Sequence, residues 1–355
     1  EGRPDALLGG DAEMTVTGGI GTEKLSDYSN TIEIKLVREG SNNKEHNLAL
    51  QLGIDHYTSA SSDNIDPATI TSASYADTRI YPSVAYSVNN KKRRTTYGVS
   101  GYYSTESDYK SWGAGLSFAK TSKDKNRELS IKLQSFFDKS LIFRPIELRP
   151  FYDDYGTYKA RASHSAALTF AQVVNPRLQV ALLAEAVQQS GFLSTPFHRV
   201  FFTNHYVATE KAPETRLKLP VALRASYFAG NKLVIRPYYR YYTDNWGVKA
   251  HTAHLEAAFK CSPHVSLSPF YRYYVQTAAS HFAPYGHHTP GTEWFTSDYD
   301  LSQFNSHYAG AGLRVVPPKG VLGLKSWNAL ELRYGHYRRS NGLQSHMFTV
   351  LTTFK

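Results

Sequence analysis

Arginine recurs at fixed parity in two aromatic runs. In KLVIRPYYRYY (232–242), Arg236 and Arg240 share one face with Val234, Tyr238 and Tyr242. In HVSLSPFYRYYVQ (264–276), Arg272 shares its face with Ser266, Ser268, Phe270 and Tyr274. Guanidinium groups lining an aqueous passage attract anions and hold cations back. The same parity in other segments adds Lys218, Arg224, Arg314 and Arg333, together with Lys35, Lys132, Lys159, Arg161 and Lys260. Against them stand Glu33, Asp55, Glu128, Asp138, Glu185, Glu256 and Glu331. The bland alternative is that these charges pair across a wall and only solvate it. Arg236, Arg240 and Arg272 stand out because they recur near one level on strands two apart.

Three other groupings could carry chemistry. HFAPYGHH supplies His281, His287 and His288, and the segment 190–213 supplies His198 and His205. Imidazoles converging from two loops would bind copper or zinc, although the spacing fits no closed tetrahedral site. Around TSASSDNIDPATITSAS (58–74), Asp55, Asp63, Asp66 and Asp77 offer hard oxygens for calcium, again without the spacing of an EF-hand loop; a stretch so rich in hydroxyls and carboxylates can equally cap its own backbone. Hydrolysis would need a nucleophile and a base, for which Asp298 or Asp300 with His307 is conceivable but fixed by no motif. The single cysteine, Cys261, sits in the turn KCSPH, so internal disulfides and cysteine zinc clusters are excluded. The expectation is of no resident cofactor and no enzyme.

The elements that position these residues have period two, not the helical period. Leu48, Leu50, Leu52 and Ile54 alternate with polar residues, as do Leu217, Leu219, Val221 and Leu223. About sixteen such segments follow, near 11–18, 28–39, 45–57, 77–89, 94–105, 108–120, 126–138, 158–172, 177–189, 214–228, 232–243, 248–260, 264–276, 304–316, 325–337 and 343–355. They are too many and too long for a typical soluble sandwich. Short connections such as GSNNK, NNKK, SKDKN, AGNK, SPH and PPKGV alternate with longer ones, of which 58–76, 139–157, 190–213 and 277–303 are the longest. That asymmetry predicts an all-β, transmembrane, antiparallel up-and-down barrel with short periplasmic turns, long extracellular loops and both termini periplasmic. Outward Tyr103, Tyr239, Tyr241, Tyr271, Tyr273 and Tyr334 fall near the long-loop ends, and Phe118, Phe170 and Phe354 near the short-turn ends, as interfacial girdles require. The most apolar runs, such as LQVALLAEAV (178–187), are far short of a membrane helix. Residues 1–10 read as a periplasmic tail and 11–355 as one barrel domain, the opening EGRPDALLGG resembling a mature chain after signal cleavage. Net charge is +10, but Lys and Arg are spread along all 355 residues and charged residues make only 20%, which argues against nucleic acid as a partner.

YTSASSDNID followed by ITSASYADTRIYPSVAYS resembles a family of Gram-negative outer-membrane proteins known mainly as a domain of unknown function. Its mark is a paired Ser-Ala-Ser element after an early strand with an acidic neighbour, here Ser59–Ser61 and Ser72–Ser74 with Asp55, Asp63 and Asp77. The resemblance covers about 45–90 and implies location and fold, with no activity and no catalytic residue to carry over. The expected function is a porin-like, anion-leaning channel narrowed by its outer loops. The alternatives are a closed barrel serving as scaffold for a lipoprotein or secretion partner, and a surface barrel binding copper or zinc. Lipid and lipopolysaccharide are the expected surroundings, and outward Ala160, Ala162 and Ala166 would suit a homo-oligomer contact.

Overall fold

The structure is a computed structural model that describes residues 25–58, 76–149 and 156–354. Its strands are β1 (Asp27–Glu39), β2 (Lys44–Thr58), β3 (Ala76–Asn90), β4 (Thr95–Thr105), β5 (Tyr109–Thr121), β6 (Arg127–Leu141), β7 (Tyr158–Asn175) and β8 (Leu178–Gly191), then the short β9 (Arg199–Phe201) and β10 (Val207–Thr209). The series resumes with β11 (Thr215–Ala229), β12 (Leu233–Asp244), β13 (Lys249–Lys260), β14 (Val265–Gln276), β15 (Phe304–Val315), β16 (Trp327–Arg339) and β17 (Gln344–Phe354). Fifteen of them form one antiparallel sheet in chain order, each paired with its sequence neighbour, while β9 and β10 make a separate hairpin. The expected segments coincide with these fifteen to within a few residues; the expected first strand, 11–18, lies outside the described residues. Among the described residues no helix is long and apolar enough to cross a membrane.

Alternation decides what each strand shows to either side. Outward-parity side chains are large, apolar and exposed: Leu223 is 53% exposed, Val350 65% and Phe348 72%. In water so continuous an apolar surface would be an aggregation hazard; in hydrocarbon it is the stable arrangement. Many of the large buried apolar residues gather at the long-loop end, where Ile142, Val200, Phe202, Trp246 and Val248 are enclosed, while Phe270 is buried within the strand wall.

Connections sort as the sequence pattern requires, with one exception. Asn42 and Asn43 turn the tight β1–β2 connection with φ of 61° and 58°, a left-handed region that asparagine tolerates. The connection between β15 and β16, read as a brief PPKGV turn, instead runs over 316–326 and folds into a 3-10 turn at Val321–Gly323. Two prolines at its start prevent β15 from continuing, and Gly320 and Gly323, both at φ 81°, let the chain double back.

Candidate functional site

On the inward face of β12–β16 the arginines climb in register. Arg314 lies level with Ser266 and Glu331; Arg333 pairs with Gly312, itself opposite Ser268. Arg236 is opposite Glu256, which faces Phe270. Arg272 lies between His254 and Tyr308, and Arg240 faces Thr252, which in turn faces Tyr274. Each arginine is therefore two residues beyond the last. One inward step is about 7 Å of strand, so four steps cover about 27 Å, close to the apolar height of a membrane barrel. Arg236, Arg272 and Arg240 occupy successive levels, not one shared level, because the β13 register sets Arg272 opposite His254 rather than Glu256. Arg224 joins the Arg272 level through Tyr238, and Lys218 faces Asp244 nearer the rim.

Pairing claims only part of this row. Glu256 accepts from Arg236 Nη1 at 2.6 Å and Arg333 Nη2 at 2.8 Å, and Arg333 also reaches Glu331 at 3.3 Å. Arg272 instead lies over the Tyr308 ring at 5.7 Å. Among the described residues no carboxylate lies within ion-pairing distance of Arg224, Arg272 or Arg314. Neighbouring rings are pressed flat on the wall by glycines. A Cβ at Gly335 would stand 2.4 Å from Tyr308, and one at Gly310 would stand 2.6 Å from Phe270. Removing those side chains lets the rings lie down beside the arginines, clear of the interior.

At the long-loop rim the wall meets the loops. Asp244 accepts from Arg216 Nε at 2.9 Å and Nη2 at 2.6 Å, from the Tyr242 hydroxyl at 2.7 Å, and from the backbone N–H groups of Trp246 and Val248. The β14–β15 loop reaches inside this rim. Arg339 of β16 donates to Asp300 Oδ1 and to the Tyr299 carbonyl, both at 2.7 Å, while Gln276 donates to the carbonyls of Asp300 and Ser302. A cavity of about 150 Å³ remains between this loop and the wall, lined by Arg216, Arg240, Tyr274, Gln276 and Asp300 among others.

Two long loops are joined into a small packed cap. The 192–214 loop, which carries β9 and β10, pairs its backbone with 277–303: Thr203 donates to the His288 carbonyl at 2.9 Å, and Lys211 and Phe295 exchange bonds at 3.1 and 2.8 Å. Phe202 packs edge-on against Phe295 and beside His288, and Val200 and Thr296 are fully buried. The β6–β7 loop is tied on by Glu147, which accepts from Arg199 at 2.6 Å and is thereby held below the ordinary glutamate range. The five histidines expected to converge do not. His288 is a buried cap residue whose Nε2 is bound to the Thr296 carbonyl, and burial lowers its basicity. His281 packs edge-on against Trp246. His287 and His205 are exposed, His205 in a left-handed turn. His198 joins Glu210 and Asp298, the three presenting ligand atoms within 4.8 Å of one another. Burial, then the carboxylates of Asp300 and Glu210, push Asp298 up to about 6, whereas Glu210, despite its burial, is held low by its bonds from His198 and Thr296.

The remaining expected groupings are dispersed. Asp77 accepts from the Ser107 backbone N–H at 3.1 Å and from its hydroxyl, and Asp55 accepts from Tyr81 at 2.8 Å, so both serve wall and rim contacts. Asp63 and Asp66 lie outside the described residues, as do both Ser-Ala-Ser elements. His307 bonds Tyr271 on the outward face at 2.7 Å, whereas Asp300 holds Arg339 inside, so the acid–histidine pairing does not form. Cys261 is an exposed turn residue. Arg216, Asp244 and Arg339 were missed by the sequence reading although strand parity, extended to the strand ends, places all three inward. Glu210 had no such signal: its partner Thr296 is 86 residues away, and their hydrogen bond exists only because two loops meet.

Comparison with curated proteins finds no match. Solved structures with similar chain paths are outer-membrane proteins. They include a siderophore receptor, PirA, from Pseudomonas aeruginosa (9% identity, 93% of this chain and 61% of that one, TM-score 0.47) and a BenF-like porin from Pseudomonas fluorescens Pf-5 (8%, 95% and 94%, TM-score 0.44). The ferric enterobactin receptor PfeA of Pseudomonas aeruginosa is similar over 88% of this chain and 52% of its own (9%, TM-score 0.48). The chain thus spans about half to three fifths of the two receptors' length. In sequence, residues 55–347 match the model described as "Protein of unknown function (DUF3570)", and the chain belongs to that family.

Proposed function

We propose that this chain closes into an outer-membrane barrel that passes small anions along the arginine row of β12–β16. The observation that carries the reading is that each of five successive inward levels holds at least one arginine, and two of these, Arg272 and Arg314, have no carboxylate within ion-pairing distance among the described residues. Closure follows from the medium. β1 and β17 are not paired to each other among the described residues, yet an open sheet edge has no hydrogen-bond partners in hydrocarbon. Closure with an even strand count would set both ends on the short-turn side, as single-chain barrels require. The long loops then face outward among lipopolysaccharide, and the cap narrows the mouth.

Single-channel recording of the purified protein in a planar bilayer tests this directly. Steady, anion-selective steps that weaken when Arg272 is replaced by Gln support it. Silence from well-folded protein overturns it in favour of the second reading, which the packed cap favours: a shut barrel that presents its loops to a lipoprotein or secretion component.

A further inference from the structure

We infer that His198, Glu210 and Asp298 form a binding site for a divalent ion of the zinc class, clasping the β8–β11 loop to the β14–β15 loop. Geometry comes first. His198 and Glu210 come from one loop and Asp298 from the other, with all three ligand atoms within 4.8 Å and His198 Nδ1 3.6 Å from Glu210 Oε2. In a tetrahedral zinc site ligand atoms stand about 3.3 Å apart, so a shift of roughly 1.5 Å at the widest pair suffices. Side-chain rotation in loops supplies that.

The surroundings point the same way. Glu210 is only 7% exposed, and the charged groups acting on Asp298 are Asp300, His198 and Glu210, with no lysine or arginine among them. One buried and one half-buried carboxylate meet a single imidazole here, and gathering such groups away from water is costly without a cation between them. Each ligand is also braced by a neighbour. Glu210 accepts from the Thr195 N–H at 2.8 Å and from the Thr296 hydroxyl at 2.6 Å; Asp298 accepts from the Asp300 N–H at 2.8 Å; the Phe197 ring stands edge-on to His198 at 5.0 Å. Partners of this kind orient ligands and keep their free lone pairs aimed at one point. One nitrogen and two oxygens with a place for water suit zinc, while calcium takes six to eight oxygens. His198 was one of five histidines expected to bind metal; the partners the structure gives it are acidic.

Titration calorimetry of the folded protein in detergent, stripped of metal and given zinc sulfate, is the test. One zinc per chain is expected, weakened at least tenfold in Asp298→Asn and in His198→Gln, and unchanged in His287→Ala on the same loop. Because the cap variants could unfold locally, hydrogen exchange on the unaltered chain supplies a second measure: zinc should slow exchange across 199–209 and 295–298 while leaving β2–β5 unmoved. No stoichiometric zinc, equal binding by Asp298→Asn, or no added protection in the two loops would each overturn the site. Neither readout depends on conductance, so failure here is distinguishable from failure of the channel reading.

Discussion

Replacing Glu256 by Gln removes the carboxylate that clamps two arginines of the row and leaves the Arg333–Glu331 contact in place. Glu256 holds Arg236 at 2.6 Å and Arg333 at 2.8 Å, and the amide retains an acceptor oxygen for one of them, so the strand register survives. The change adds one positive charge at the third of five levels. For an ion passing about 7 Å away in water, a unit charge is worth about 0.6 kcal/mol, and screening at 0.1 M salt halves it to about 0.3. Anions gain that amount and cations lose it, so the anion-to-cation permeability ratio rises by about 0.6 kcal/mol, roughly threefold. Reversal potentials under a salt gradient read this ratio directly. Arg272→Gln should move it threefold the other way.

The size of the effect carries information beyond its sign. A dry constriction with an effective dielectric near 20 would amplify the same substitution to about a thousandfold or more. A ratio that rises only about threefold, and less at 1 M salt, therefore means a water-filled passage beside Glu256. An unchanged ratio, or a move toward cations, refutes the assignment of these arginines to the conducting path.

Other consequences follow from single contacts. Gly335→Ala should lift the Tyr308 ring off the wall and lower conductance, with Tyr308→Ala in the same chain restoring it; no drop, or a drop without rescue, would mean the ring does not border the passage. Asp244 is wholly buried and holds Arg216, so Asp244→Ala should cost about 3–5 kcal/mol in denaturant unfolding from micelles, and a loss under 1 kcal/mol would show that the rim is loosely packed. Glu147 is held below its ordinary pKa by Arg199, so its tie to the cap is fully present above the ordinary glutamate range and is lost as pH falls through the lowered value. Protease nicking of 142–149 should accordingly rise on acidification, and a rise on alkalinisation would contradict the tie.

Strand positions were legible because period-two alternation is a local property. A residue such as Leu219 must lie opposite in face to Lys218 whatever the rest of the chain does, and one apolar face of adequate length specifies register strongly. The same parity identified Arg236, Arg240 and Arg272 as inward. It could not rank them by level, since level depends on how many residues each hairpin turn consumes; that is a sum over connections, and the long 316–326 connection shows how a nominally short one can grow. The cap was invisible for a different reason. His198, Glu210 and Asp298 are brought together by pairing between two loops, and no periodicity in either loop announces the other. Histidine content singled out these two loops, but His288 fills the cap and His281 packs on Trp246, and the side chains that meet His198 are acidic.

The arginine row and the cap meet at Arg339, and this junction constrains how the mouth could work. Arg339 lies at the Arg240 level, one strand beyond Ser306 and Tyr274, yet only 2% of its side chain is exposed. Its guanidinium lies over Phe304 at 3.8 Å and is spent on Asp300 and the Tyr299 carbonyl of the β14–β15 loop. With the loop seated, Arg339 is a structural cation. With the loop withdrawn, the same side chain would become a second arginine at the fifth level, beside Arg240, and Asp300 would leave with the loop. Withdrawal therefore raises the charge at the mouth by one unit, because Asp300 leaves and Arg339, until then neutralised by it, stays in the wall, as well as widening it. On the channel reading, opening and anion preference are coupled by one ion pair, so Asp300→Asn should loosen the loop and raise anion selectivity together. A variant that raised selectivity while the loop stayed fully protected from hydrogen exchange would separate the two and break the argument.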